Sequence, residues 1–157
     1  EGYTLDGIVE PQRFFFFLFI VDRAIALQGT HTRTKTYPQI MNIPVNKTAG
    51  SLAFLHTTPW SASAGTEIGA YIVHYDDGTT ERIPLIYGTN ISTWTDTNVT
   101  SINLLQGWSG ETANGLAVAI NIFFWTNPKP NSVIERLEFV SSKSLASPVL
   151  LGLTILE

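Results

Sequence analysis

Tyr71-Ile72-Val73-His74-Tyr75-Asp76-Asp77-Gly78-Thr79-Thr80-Glu81-Arg82-Ile83-Pro84-Leu85 holds the plainest structural signal in the chain. Two runs of alternating apolar and polar residues flank Asp77-Gly78, and Asp-Gly readily adopts the positive φ angles of a tight turn, so the stretch reads as a β-hairpin. Two registers fit it. In a two-residue type I′ turn at Asp77-Gly78, Ile72 faces Ile83 and Ala70 faces Leu85. Tyr71, Val73, Tyr75 and Arg82 then share the opposite face as an aromatic binding surface. In a three-residue loop, Asp76-Asp77-Gly78 with Gly78 in a bulge, the pairing slips by one, and Tyr71, Val73 and Tyr75 join Ile83 and Leu85 in the core.

The same grammar extends in both directions. Short segments rich in Val, Ile, Phe, Tyr and Thr, which crowd a helix but suit a pleated surface, alternate with Gly, Pro, Asn and Ser. The expected strands are Phe14 to Val21, Ala24 to Gln28, Gln39 to Val45, Ser51 to Thr57, Ile68 to Tyr75, Thr80 to Ile86, Ala117 to Trp125, Val133 to Val140 and Pro148 to Leu156. No window shows an apolar stripe at a period of 3.6 over helical length. This pattern predicts an all-β protein, an antiparallel two-sheet β-sandwich or jelly roll. Ala117 to Trp125 and Val149 to Leu156 are apolar on both parities, as expected of central strands or of strands covered on both faces. With 157 residues and no internal repeat or low-complexity linker, residues 1–157 read as one domain.

Composition narrows the function. A net charge of −4 lacks the basic footprint that neutralising phosphates requires, so no nucleic-acid partner is expected. The longest apolar run, Phe14 to Val21, is far shorter than the roughly 20 residues of a membrane-crossing helix, so no membrane partner is expected. It reads as a buried strand. The absence of cysteine rules out disulfides, thiolate metal sites and cysteine nucleophiles. The first residue is Glu1, with no Met or charged leader ahead of it, so any export signal has been removed or lies outside this piece. The sequons at Asn46, Asn90 and Asn98 would matter only in a eukaryotic secretory pathway.

Chemistry is sparse. None of His31, His56 and His74 has a second histidine within three to five residues, as a metal site would use, and each reads as satisfied or solvated. Glu81 faces His74 only in the type I′ register. Asp76 and Asp77 offer oxygen ligands, but without the alternating acids of a calcium loop; turn formation explains both, and a structural calcium is unsupported. Glu135 and Glu138 have odd spacing and point to opposite faces of a regular strand. No nucleophile elbow, phosphate loop or zinc-helix motif occurs. The chain is therefore expected to be no enzyme and to hold no cofactor.

Aromatic residues at turn-like positions are plentiful instead: Trp60 in Thr58-Pro59-Trp60-Ser61, Trp94 in Ile91-Ser92-Thr93-Trp94-Thr95, and Trp108 in Gln106-Gly107-Trp108-Ser109. An exposed indole can stack on the apolar face of a sugar ring while Asn, Gln, Thr or Arg reach its hydroxyls. The alternative is that each ring plugs an open end of the sandwich, with its N–H bonded to a loop carbonyl. Trp125, after an apolar run, reads as core.

Read in order, Ser51-Leu52-Ala53-Phe54-Leu55-His56-Thr57, the hairpin above, Ile83-Pro84-Leu85-Ile86-Tyr87-Gly88-Thr89-Asn90-Ile91 with Trp94, Phe124-Trp125-Thr126-Asn127-Pro128-Lys129-Pro130, Ile134-Glu135-Arg136-Leu137-Glu138-Phe139-Val140-Ser141 and Pro148-Val149-Leu150-Leu151-Gly152-Leu153-Thr154 resemble a β-sandwich accessory domain. Such domains are found in large secreted or surface bacterial proteins, beside glycoside hydrolase or polysaccharide lyase modules. The resemblance runs from about Ile40 to the C-terminus. It implies a secreted or cell-surface bacterial setting and a non-catalytic, carbohydrate-binding-module-like role. The implied partners are a polysaccharide or oligosaccharide and the catalytic module of the same parent chain. Trp60, Trp94, Trp108 and Tyr75 are then the stacking candidates, with Asn90 and Arg82 as polar contributors. The competing expectation is a structural spacer that docks on the neighbouring module and binds no glycan.

Overall fold

The computed structural model describes residues 23–99 and 101–157, together with the backbone of Gln12–Phe14 and Phe17–Phe19. It is all β among those residues. The strands are β1 (Gln12–Phe14), β2 (Phe17–Phe19), β3 (Ile25–Ala26), β4 (Ile40–Lys47), β5 (Ser51–Thr57), β6 (Glu67–Tyr75), β7 (Thr80–Ile86), β8 (Leu104–Glu111), β9 (Ala117–Thr126), β10 (Ile134–Ser141) and β11 (Val149–Leu156). A four-stranded sheet, β4-β10-β6-β7, packs on a five-stranded one, β3-β11-β5-β9-β8, and every pairing is antiparallel. The expected β-sandwich is what the chain forms. The run Phe14 to Val21, expected as one buried strand, departs from that reading in its backbone: β1 and β2 pair antiparallel, with Phe14 opposite Phe17, and β2 lies against β11. Its side chains lie outside the described residues.

Between the sheets, Phe54 stacks on Tyr71 (centroids 4.2 Å apart) and Tyr71 on Phe139 (4.7 Å). Leu27, Leu52, Ile68, Val73, Leu85, Ile91 and Leu137 complete a core in which each is fully buried. Burial of side chains of this size contributes about 1.5–3 kcal/mol apiece. The opposite face of the five-stranded sheet carries a second apolar layer, in which Ala53, Leu55, Ile122 and Leu151 are buried under Trp108, Ile120 and Phe124. Strand β9 therefore feeds Phe123 to one layer and Ile122 to the other, which explains its apolarity on both parities.

The hairpin adopts the three-residue register. Tyr71 pairs with Ile83 and His74 with Thr80. The Tyr75 N–H donates to the Thr79 carbonyl, the Gly78 N–H donates to the Tyr75 carbonyl, and Gly78 sits at φ 80°. Asp77 decides in favour of this turn by accepting from the Thr79 N–H at 2.8 Å. Tyr75 consequently points into the core and is only 1% exposed, so it cannot be the solvent-facing stacking residue expected above.

Its hydroxyl instead donates to Asn127 Oδ1 at 2.6 Å, while Asn127 Nδ2 donates to the Ala49 carbonyl at 2.8 Å. Lys129, two residues on, reaches Asp77 Oδ2 at 3.1 Å and lies 5.2 Å from the Tyr75 ring centre. The Asn127-Pro128-Lys129-Pro130 turn is thus a strap joining β9, the β4–β5 turn and the hairpin. Removing the Asn127 side chain takes partners from Tyr75 and Ala49, at about 1–3 kcal/mol for each buried group left unpaired. Removing only the Tyr75 hydroxyl costs about 1 kcal/mol, because Asn127 keeps its other bonds. In urea titrations Asn127→Ala is accordingly expected to be clearly less stable than Tyr75→Phe; equal midpoints would contradict the strap.

Candidate functional site

The candidate residues divide between the ends of the sandwich. The hairpin tip, Asp77 and Lys129 occupy one end. At the other, β5 leaves its sheet at Thr57, and Thr58 forms a parallel bridge with Thr93. The Thr58 carbonyl accepts from the Trp94 N–H at 3.3 Å, and the Thr58 hydroxyl donates to the Trp60 carbonyl at 3.0 Å. The Trp94 carbonyl in turn accepts from the Ala119 N–H at 2.8 Å. The β7–β8 loop thereby fills the gap between the exit of β5 and the start of β9, and Trp60 and Trp94 are anchored on either side of Thr58.

Their rings differ in setting. Trp94 is 36% exposed, the most open tryptophan of the four. Trp60 is half-buried and stacks on His31, with centroids 3.9 Å apart and planes inclined by 22°. His31 is held in turn by accepting the Arg33 N–H on Nδ1 at 3.2 Å. This pairing joins residues 29 positions apart, and no local pattern announces it.

Trp108 is not in a loop. It lies on β8, opposite Ile120, with its ring across the outer apolar layer and over Gly110, where an added Cβ would come within 2.6 Å of the indole. Strand β8 itself was not among the expected strands, because Gly107 and Gly110 interrupt the alternation and a bulge shifts the register between Gln106 and Trp108. Asn90 is also not free: Oδ1 accepts from the Ile86 N–H and Nδ2 donates to the Pro84 carbonyl, both at 2.8 Å. Its amide closes the end of β7. Arg82, on the outer face of the four-stranded sheet opposite Ile72, is ion-paired with Glu67. Of the six expected contributors, Trp60 and Trp94 lie at one end, both bonded to Thr58, Trp108 lies in the outer apolar layer on β8, and Tyr75, Asn90 and Arg82 serve other partners.

The histidines sharpen the electrostatics. His56 is fully buried between the sheets. A carbonyl can only accept, so Nε2–H donates to the Asn90 carbonyl at 2.7 Å, and Nδ1 accepts from the Tyr71 hydroxyl at 3.1 Å. Burial holds its pKa down to about 4, against a smaller upward pull from the Asn90 carbonyl. The ring therefore stays neutral at pH 7 and ties the β7–β8 loop to both sheets. His74 lies outside the core, 3.5 Å from Glu138 and 3.5 Å from Arg136; the observed register puts Thr80, not Glu81, across from it. Asp77 is pulled down to about 2, first by the Thr79 hydroxyl, then by the Thr79 N–H and Lys129. Its carboxylate is already occupied by a hydroxyl, an amide and an ammonium. No three His, Asp or Glu side chains among the described residues converge as a metal site would require.

Compared with protein-family models, curated proteins and solved structures, the chain matches none.

Proposed function

We propose that the chain is a non-catalytic carbohydrate-binding module that keeps a parent enzyme near its polysaccharide, in a secreted or surface bacterial protein, and that it binds glycan at the sandwich end carrying Trp94, Trp60 and His31. The observation that supports this reading is that the open Trp94 and the His31–Trp60 stack share one end of the sandwich, with the backbones of both tryptophans hydrogen-bonded to Thr58. Rigid, partly desolvated aromatics are suited to sugar rings because they offer a flat apolar surface at little entropic cost. Tethering then raises the local substrate concentration without chemistry.

Trp94→Ala is expected to weaken glycan binding by about 1–3 kcal/mol, on the scale of interface anchors and base-stacking rings. Its melting temperature should barely move, since an exposed ring contributes little to the core. Isothermal titration and thermal melts on the same variant check both halves.

A second reading, a domain that docks on a neighbouring module without binding glycan, draws on a different surface. Ile102 is 95% exposed, and Leu105 and Leu116 are each about half exposed, on or beside the edge strand β8. Leu105→Ser would weaken docking and leave glycan binding untouched.

A further inference from the structure

Charge is unevenly spread along the chain. No Asp or Glu occurs from Arg23 to Thr66, although acids outnumber bases in the whole sequence and leave it at −4. Antiparallel pairing turns that asymmetry into a spatial one. Strands β5, β7 and β10 end, and β4, β6, β9 and β11 begin, at the end of the sandwich that carries Trp60 and Trp94. Residues 27–39, 58–66 and 142–148 are therefore loops of this end, together with the β7–β8 connection as far as Asp96. They hold Arg33, Lys35 and Lys143 against a single acid, Asp96. Asp96 is occupied locally, accepting from the Ser92 hydroxyl at 2.9 Å and from the Asn98 N–H at 3.3 Å. At the adjoining strand ends, Glu67 is ion-paired with Arg82, and Glu111 is the last residue of β8. Arg33, Lys35 and Lys143 are exposed, and none forms an ion pair among the described residues. By contrast, Arg82 and Lys129 are paired with carboxylates and Arg136 is bonded to Asn42.

The cationic loop is bonded to the aromatic site. Arg33 lies one hydrogen bond and one ring stack from Trp60, since its N–H donates to Nδ1 of the stacked His31. The His31 carbonyl accepts from the N–H groups of Thr34 at 2.9 Å and Lys35 at 3.1 Å, and Thr34 is buried, which fixes the turn. The Thr30 N–H donates to the Ser144 carbonyl at 3.1 Å, so the loop carrying Lys143 is tied to the same segment. Resting on the glycan reading above, we infer that the sugar chain bound at this end is anionic, its ring-borne carboxylate or sulfate groups meeting Arg33, Lys35 and Lys143. A guanidinium matches the paired oxygens of such groups, and cations without an intramolecular partner gain an anion at no cost of a broken ion pair. The local positive field also draws a polyanion to an otherwise acidic protein and speeds encounter. Three cations fall short of the roughly 6–10 phosphate contacts typical of nucleic-acid binding, which favours a sugar.

The test is affinity electrophoresis of the full chain on matched gels: polygalacturonate against its methyl ester, and dextran sulfate against dextran, with a single-stranded oligonucleotide as a further polyanion. Expected is retention on at least one charged gel and not on its neutral partner, and the gel that retains the chain tells carboxylate from sulfate. The double variant Arg33→Gln, Lys35→Gln should weaken that retention about 3- to 30-fold, the worth of two exposed ion pairs. The difference should shrink at 1 M salt, where the screening length is about 3 Å. Lys47→Gln makes the same kind of charge change on an exposed lysine at the opposite end of β4 and should leave retention unaltered. Equal retention on a charged gel and its neutral partner, lost in Trp94→Ala, would overturn this inference and leave the glycan reading standing. Retention weakened as much by Lys47→Gln as by the double variant, or an oligonucleotide held as tightly as the sugar, would also overturn it. Free migration through every gel would overturn both.

Discussion

Acidification from pH 7 to pH 4 is expected to cost the fold about 3 kcal/mol through His56 alone. The imidazole has a pKa of about 4 in the folded chain against 6.5 when solvated. Above 6.5 neither state binds the proton, and the full stability is present. Below it the unfolded chain takes up a proton that the folded chain refuses, so stability falls by about 1.4 kcal/mol per pH unit until the folded state also protonates near pH 4. The cause is local. A proton on Nδ1 would displace the Tyr71 hydroxyl proton from its acceptor and place a charge between stacked Phe54, Tyr71 and Phe123 rings. Asp77 does not confuse the window, because its depressed pKa of about 2 withdraws its contribution only at lower pH. Urea midpoints at pH 7, 6 and 5 should fall steeply, and the ring protons of His56 should stay in their neutral positions by NMR until about pH 4. A His56 that titrates near 6.5 in the folded protein would contradict the buried, doubly bonded imidazole.

Gly69→Ala is the second large effect expected. Gly69 lies in β6 opposite Ser141 of β10, and a Cβ built there would sit 2.4 Å from the Val140 carbonyl oxygen and 3.1 Å from Pro148 Cγ. The clashing atom is backbone in a ladder at the middle of the four-stranded sheet, so relief requires the two strands to part. A loss of about 3 kcal/mol or more is expected, the upper end of overpacking penalties. Gly50 is the control, because an added Cβ there meets nothing closer than 3.5 Å. Equal denaturation midpoints for Gly69→Ala and Gly50→Ala would show that β6 and β10 are not packed as described.

Much of the fold was legible because alternation and turn chemistry are local. Strands β5 and β7 coincide with the segments expected from the residues alone, and the apolar parity of β9 foretold its two covered faces. The hairpin register was not legible, since Asp-Gly fits both turns; the bonds from Thr79 to Asp77 and the strap from Asn127 and Lys129 select one of them. Strand β8 was hidden by its glycines, which leave room for the Ile122 and Trp108 side chains. Trp108 was misplaced with it. The stacking of His31 on Trp60 and the burial of Tyr75 are decided by contacts between distant segments, which no short window of sequence displays.

Affinity electrophoresis of the chain and its Trp94→Ala variant through gels holding a panel of plant, algal and bacterial polysaccharides tests the central claim most directly. The account predicts retardation on at least one polysaccharide, reduced or abolished by Trp94→Ala at an unchanged melting temperature. Free migration through every gel, or retardation identical in the variant, would contradict it.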